Sequence, residues 1–398
     1  MPDNPGERPA ARARLDSVDL LRGLVMVVMA LDHVRDYFHR SGFYFDFNPT
    51  DLSRTYTALF ATRWVTHFCA PVFIFLAGTG AFLSASRGKS KSELSRFLFT
   101  RGLWLVLLEL TYLHVAWYFD FLLLAQPVQV IWALGWSMVA LSGLIFLPVT
   151  WVAAFGVAMI AVHNLFDGIQ AQNLGALGWL WRVLHEGGLI MTTPQSGGFV
   201  AYPLIPWIGV MAAGYGFGRL LLLEPGVRRR RMLILGSALI LMFIMLRAIN
   251  LYGDPTPWSE QKSRLFTFFS FINTFKYPPS LLFLLMTLGP ATLALALLDR
   301  SPGRFTRPLI VFGRVPLFFY VLHIPLIHGL AVLFARARYG QAHWLFQNPP
   351  DFAVPKDYGY GLPVVYLVWI AVVLILYPVC RWYAGVKKRR RDAWLSYL

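Results

Sequence analysis

The chain has 398 residues, of which 57% are hydrophobic and only 14% charged. Soluble domains carry nearer a quarter charged residues, so this composition excludes an ordinary water-soluble enzyme and indicates a polytopic membrane protein. A formal net charge of +16 would suit nucleic acid, but no separate soluble basic domain exists to bind it, and that function class is set aside.

In chain order, residues 1–15 form a polar tail without a cleavable apolar leader, expected in the cytoplasm. Apolar runs of spanning length follow near 18–36, 62–85, 97–117, 129–147, 149–165, 200–222, 231–250, 280–298, 307–335 and 361–383. The expected fold is therefore all-α, a polytopic integral membrane protein of about ten transmembrane helices. Residues 16–384 form one transmembrane domain and 385–398 a basic tail. With the N-terminus inside, Lys and Arg are about twice as numerous on the inner segments as on the outer ones, as the positive-inside rule requires. Both termini are accordingly expected in the cytoplasm. The runs RRRR at 228–231 and KKRRR at 387–391 flank helix ends, where they can meet anionic lipid headgroups. The outer loops 37–61, 166–199, 251–279 and 336–360 are long and rich in Trp, Tyr, Pro and Gly. Long irregular loops are usually functional, so the outer side is where a substrate is expected.

The first helix, DSVDLLRGLVMVVMALDHVRDYF from Asp16, carries Asp19, Arg22, Asp32, His33, Arg35 and Asp36 within or at the ends of an apolar span. Each such charge costs at least ~2.5–3.5 kcal/mol on insertion scales, which marks a functional or interhelical polar site. At about 100° per residue, Asp19, Arg22, Met26, Met29, His33 and Asp36 share one stripe about 100° wide, with Asp32 on its edge. The remaining Leu, Val and Ala are expected to face lipid. Two full negative charges at Asp32 and Asp36 would repel, so one is expected to pair with His33, Arg35 or Lys276, or to be protonated.

Asp32 and His33 lie roughly 21–23 Å above Val18. Other helices bring ionisable groups to the same outer half: His67 on the second, Glu109 and His114 on the third, Lys276 at the mouth of the eighth, and His323 and His328 on the ninth. An adjacent carboxylate and imidazole suit general-base work, although each intramembrane histidine also has a plain reading as an interhelical hydrogen-bond partner. His39, His163, His185 and His343 read as loop residues, and Cys69 as packing. No metal is expected, because His323 and His328 are five apart, about 140° round the helix. Cys69 and Cys380 support no disulfide framework. On the inner side Arg22, Arg96, Arg101, Arg219 and Arg314 sit at helix ends. Arg22 and Arg314, beside Gly23 and Gly313, are the better candidates for a phosphorylated donor, since guanidinium forks suit phosphate. Pro71 is expected to break the second helix just after His67, and Ser280 to cap the eighth.

The segments RLDSVDLLRGLVMVVMALDH, THFCAPVFIFLAGTGAFL, YPLIPWIGVM and KYPPSLLFLLMTLG resemble bacterial membrane proteins related to the heparan-alpha-glucosaminide N-acetyltransferase catalytic domain. That resemblance implies a bacterial inner-membrane acyltransferase that takes acetyl-CoA from the cytoplasm and acetylates an amino sugar on the far side. It also implies that Asp32 stands where the family carries a catalytic Asn. The family's loop histidine has no clean match: His33 is adjacent, His39 falls too early and His67 aligns with an acidic position. The combined expectation places His33 or His67 as base, Asp32 orienting the imidazole, Asp36 beside them, and Lys276 or His323 at the thioester oxyanion. Arg22 and Arg314 would bind the CoA phosphates, with no metal, and a homodimer is compatible with the sequence. The alternative is a proton-coupled transporter using the same Asp/His site, against which stands the lack of repeat symmetry. A third reading is a non-catalytic partner in envelope assembly.

Overall fold

The computed structural model describes residues 15–42, 48–121, 125–193, 196–300, 303–304, 306–347, 354–390 and 392–398. The helices begin with α1 (Asp16–Phe38), α2 (Thr57–Thr66), α3 (Cys69–Ala85), α4 (Lys91–Leu108), α5 (His114–Tyr118), α6 (Val130–Leu144), α7 (Val149–Val162) and α8 (Gly178–Trp181). They continue with α9 (Leu204–Phe217), α10 (Pro225–Ile249), α11 (Arg264–Ile272), α12 (Leu281–Leu298), α13 (Arg307–Arg314), α14 (Pro316–Tyr339) and α15 (Leu362–Arg389). Among the described residues, eight helical segments are long and apolar enough to cross a membrane. Two further apolar runs are also helical: α1 has 23 residues but many charges, and α6 has only 15 residues. The protein is thus an all-α multi-pass membrane protein.

A small sheet interrupts the helical pattern. Strands β1 (Ala125–Val128), β2 (Gly188–Thr193) and β3 (Ser196–Val200) lie in the order β1-β3-β2, with β1 parallel and β2 antiparallel to β3. No alternating apolar pattern announces it, and its strands are four to six residues long.

Helix α1 lies at the centre of the bundle. It packs against α13, α14, α15, α3, α12 and α2, and Met26, Ala30 and Val34 are fully buried. Only Leu24 among its side chains is exposed, so the expected lipid face is corrected: the apolar residues of α1 meet other helices. Lipid tails and apolar side chains are equally hydrocarbon, so composition cannot separate the two environments, whereas a helix apolar nearly all round is commonly a buried one. Glycine sets the closest crossing. A Cβ on Gly23 would overlap the Leu309 carbonyl, and one on Gly313 would overlap the Asp19 carbonyl, so α1 and α13 meet backbone to backbone.

Two helix breaks differ in how well sequence foretold them. His67 and Phe68 form a turn between α2 and α3, with Pro71 in the first turn of α3, as proline's missing amide hydrogen demands. The single span expected over 307–335 is instead two helices, α13 and α14. Val315 leaves helical geometry (φ −133°, ψ 49°) and Pro316 starts α14 at the position where its absent N–H costs nothing. Ser280 caps α12 as expected, its hydroxyl accepting from the Phe283 amide at 3.0 Å. Cys69 and Cys380 are both free and buried.

Replacing Gly23 or Gly313 with Ala should lower stability by about 1–3 kcal/mol or more, because backbone on the facing helix cannot yield as a side chain does. Gly329→Ala, where a Cβ meets nothing within 4 Å, should be neutral or stabilising by up to about 1 kcal/mol. Thermal denaturation of the three variants in detergent checks this difference.

Candidate functional site

The C-terminal half of α1 carries a buried ionic network. Arg35 donates to Asp32 Oδ1 at 2.9 Å and to Asp36 Oδ1 at 2.6 Å, both through Nη2, and its Nε reaches Asp32 Oδ1 at 3.3 Å. The second oxygen of Asp32 accepts from Arg63 on α2. The two acids that would repel one another are therefore bridged by one guanidinium, and Asp32 is held by a second. Buried charge persists only where it is paired and hydrogen-bonded, and these contacts satisfy both oxygens of Asp32.

Around the network lie Lys276 and Tyr277, from the segment before α12. Arg63 Nη2 is 3.4 Å from the Tyr277 hydroxyl, and Lys276 Nζ sits 5.0 Å from the Tyr277 ring centre. Lys276 is buried, and among the described residues no carboxylate lies within 4.0 Å of its ammonium. Two carboxylates, Asp32 and Asp36, thus face three cations, Arg35, Arg63 and Lys276, leaving the cluster with an excess of positive charge.

Next to Asp32 on α1 is one member of a histidine pair. His33 Nδ1 and His323 Nε2, from α1 and α14, are 2.7 Å apart. His323 Nδ1 lies 2.7 Å from the Tyr320 carbonyl and 3.1 Å from that of Phe319. Carbonyls only accept, so His323 Nδ1 carries a proton. With both rings neutral, His323 Nε2 must accept from His33 Nδ1–H, which leaves the lone pair of His33 on Nε2. His323 is 0% exposed and His33 9%, so His33 is the less enclosed member of the pair. Its ring stands edge-on to Trp117, centres 4.9 Å apart. The expected orienting role of Asp32 is corrected by this geometry: both Asp32 oxygens go to arginines, and His323 orients the imidazole.

His67 ends α2 at the same level. It is buried, its Nδ1 has no hydrogen-bond partner among the described residues, and its ring stands against Phe283 at 5.5 Å. The other sequence candidates are occupied elsewhere. Glu109 accepts from the Gln129 amide at 2.8 Å, and His114 lies 3.6 Å from Asp120. His328 is held between the carbonyls of Ala116 and Leu345 at 3.1 and 2.7 Å. His39 is tied to Ser41 at 2.7 Å and Tyr56 at 3.3 Å, and burial, with Arg35 and Arg40 nearby, lowers its pKa to about 4. Arg35, one of the partners expected for Asp32 or Asp36, pairs with both, whereas Arg63, Tyr277 and Trp117 escape sequence reasoning altogether. Arg63 had a signal: it precedes His67 by four residues, which puts both on one face of α2.

Near the N-terminal end of α1, Arg22 reaches the carbonyls of Gly313 and Leu76 at 3.3 and 3.4 Å and Asp19 at 3.6 Å. Arg314, with 43% of its side chain exposed, pairs with Asp16 at 3.2 Å and Asp19 at 3.8 Å. Both guanidiniums thus have acidic partners, and Arg314 is the one open to an incoming phosphate. A cavity of about 670 Å³ lies elsewhere, between α3, α7, α9, α10 and α12. Its lining is mostly apolar, Leu and Phe above all, with Thr292, Arg219 and Arg231 as its polar members. Such a lining fits lipid chains better than the hydroxyls of a sugar. A separate group, His163, Asp167 and His185, could hold a metal ion.

The family model described as heparan-alpha-glucosaminide N-acetyltransferase, catalytic, matches residues 14–251. That range, more than half of the chain, includes Arg22, Asp32, His33, Asp36, Arg63 and His67 and excludes Lys276, Arg314 and His323. A search of the curated proteins found no match.

Because Arg63 compensates a buried carboxylate, Arg63→Met should destabilise the protein by about 3–5 kcal/mol. Adding Asp32→Asn should recover part of that loss, since it removes the stranded charge. Unfolding in mixed micelles measures both; a double variant less stable than Arg63→Met alone would refute the pairing.

Proposed function

The chain belongs to the heparan-alpha-glucosaminide N-acetyltransferase catalytic family, and from that membership and the α1 site we propose a membrane acetyltransferase. It moves an acetyl group from cytoplasmic acetyl-CoA to an amino sugar or glycan on the outer side of a bacterial inner membrane. The observation that carries this reading is the His33–His323 pair, which presents a lone pair at His33 Nε2 inside a cluster of excess positive charge.

Acetyl-CoA supplies the acyl group as a thioester. The acceptor nitrogen attacks the thioester carbonyl while His33 Nε2 takes its proton; the C–S bond then breaks, and the departing CoA sulfur takes that proton as the free thiol. His323 holds the imidazole in that tautomer through its own bonds to the Tyr320 and Phe319 carbonyls. Lys276 and Arg63 place positive charge where the oxyanion develops, the role of fixed donors in a site shielded from water. Asp32 and Asp36 keep Arg35 and Arg63 in position. The donor's phosphates are assigned to Arg314, whose exposure favours it, and to Arg22 beside it. His67, unpartnered at Nδ1, stands as the second base. Basic runs at helix ends meet anionic headgroups.

Labelled acetyl-CoA and glucosamine-type acceptors, with protein in proteoliposomes, test the proposal. His33→Gln should lower turnover by roughly 10²–10⁴-fold with little change in the KM for acetyl-CoA. Full transfer by His33→Gln together with loss in His67→Gln would move the base to α2. If neither variant affects transfer while both uncouple a proton-driven solute flux, the transporter reading replaces the enzyme.

A further inference from the structure

The end of α7 holds a group of side chains that the acetyl-transfer reading does not use. His163 opens a 3-10 turn (His163–Phe166) directly after α7, and Asp167 follows it by four residues. His185 comes from a π-helical turn (Arg182–Glu186) after α8. Ligand atoms of the three lie within 4.8 Å of one another. His163 is 2% exposed, and neither of its ring nitrogens has a hydrogen-bond partner among the described residues. Buried polar atoms are rarely left unpaired, and an orphaned imidazole asks for an occupant.

The neighbours of the three ligands are arranged to hold them. Asn164 donates to Asp167 Oδ2 at 2.8 Å, which leaves Oδ1 facing His185 Nε2 at 3.5 Å. The same Asn164 accepts from the Leu281 amide at 2.8 Å, so the carboxylate is anchored to the start of α12. Trp181 stacks on the His185 ring, centres 4.9 Å apart, and its indole N–H donates to the Ile169 carbonyl at 2.8 Å. Outer contacts of this kind fix ring and carboxylate orientation in metal sites. A plain packed histidine pair would need none of the three side chains to converge, and it would leave His163 unsatisfied.

We propose that His163, Asp167 and His185 form a binding site for a first-row divalent ion of the zinc class. Two imidazoles and one carboxylate are the donors such an ion prefers, whereas calcium and magnesium favour oxygen alone. Tetrahedral donors about 2.1 Å from zinc lie roughly 3.4 Å apart; Asp167 and His185 already stand at 3.5 Å, and the widest separation, up to 4.8 Å, must close by about 1.4 Å. His185 Nε2, now 2.9 Å from the His163 carbonyl, exchanges that bond for the metal. Water, admitted beside Asp167, completes the fourth position. The expectation of no metal looked only for histidine pairs within a helix; this site joins two helix ends. The ion would staple the end of α7 to the turn that leads into β2, closing the long outer loop. The proposal is independent of the acetyl-transfer reading.

The test uses full-length protein without a polyhistidine tag, stripped with chelator and titrated with Co²⁺ and Zn²⁺. Expected are about one ion per chain, the intense visible bands of tetrahedral cobalt, and a zinc-dependent rise in Tm. Asp167→Asn and His185→Gln should each abolish the bands, and Asn164→Ala should weaken binding by about 10–100-fold. Asp167 is exposed, so its variant keeps the test valid if His185→Gln fails to fold. Absence of stoichiometric binding, or bands unchanged in the Asp167→Asn/His185→Gln double variant, would overturn the proposal.

Discussion

Asp32 stands inside the bundle with a guanidinium on each oxygen, Arg35 from its own helix and Arg63 from α2. A carboxylate at that depth is tolerated only in such company. The requirement fixes much else. It locks the rotamer of Arg35, which also neutralises Asp36, and it draws α2 against α1, so that His67 at the end of α2 arrives at the same level. The turn at His67–Phe68 is what allows α2 to make that approach before α3 continues across the membrane. At the opposite end, the crossing of Gly23 with Gly313 sets how closely α13 approaches α1. Beyond the break at Val315–Pro316, α14 carries His323 to within 2.7 Å of His33.

Much of this was legible in the sequence. Asp19, Arg22, His33 and Asp36 of α1 share a stripe, and the common level of His67, Lys276 and His323 follows from counting residues along apolar spans. Periodicity gives depth and face, however, and not the partner. Asp32 and His33 are adjacent in sequence, yet successive residues on a helix point about 100° apart, so the carboxylate turns to Arg63 while the imidazole turns to α14. Which helix lies on which side is a fact of packing that a single chain does not encode locally. For the same reason the surroundings of α1 were misread: Ala30, Leu31 and Val34 look the same to a neighbouring helix as to lipid. Arg63 falls at the very start of the apolar run 62–85, where a basic residue reads as a topology charge. Its spacing of four from His67 was the overlooked signal.

The family match ends at residue 251, and so the shared portion carries His33 without His323. In this chain the tautomer of the proposed base is set by a helix outside the matched region. The neutral second imidazole takes the place that a carboxylate often holds behind a catalytic histidine, and the carboxylates here serve the arginines instead. Positive charge then remains in excess around the base, which suits an oxyanion better than a cationic solute.

The account rests on His33 and His323 working as one unit, and a double-mutant cycle on acetyl transfer tests that most directly. His33→Gln, His323→Gln and the double variant should lower kcat by similar factors, with the KM for acetyl-CoA nearly constant in all three. Losses that multiply in the double variant, or full turnover in His323→Gln, would contradict it.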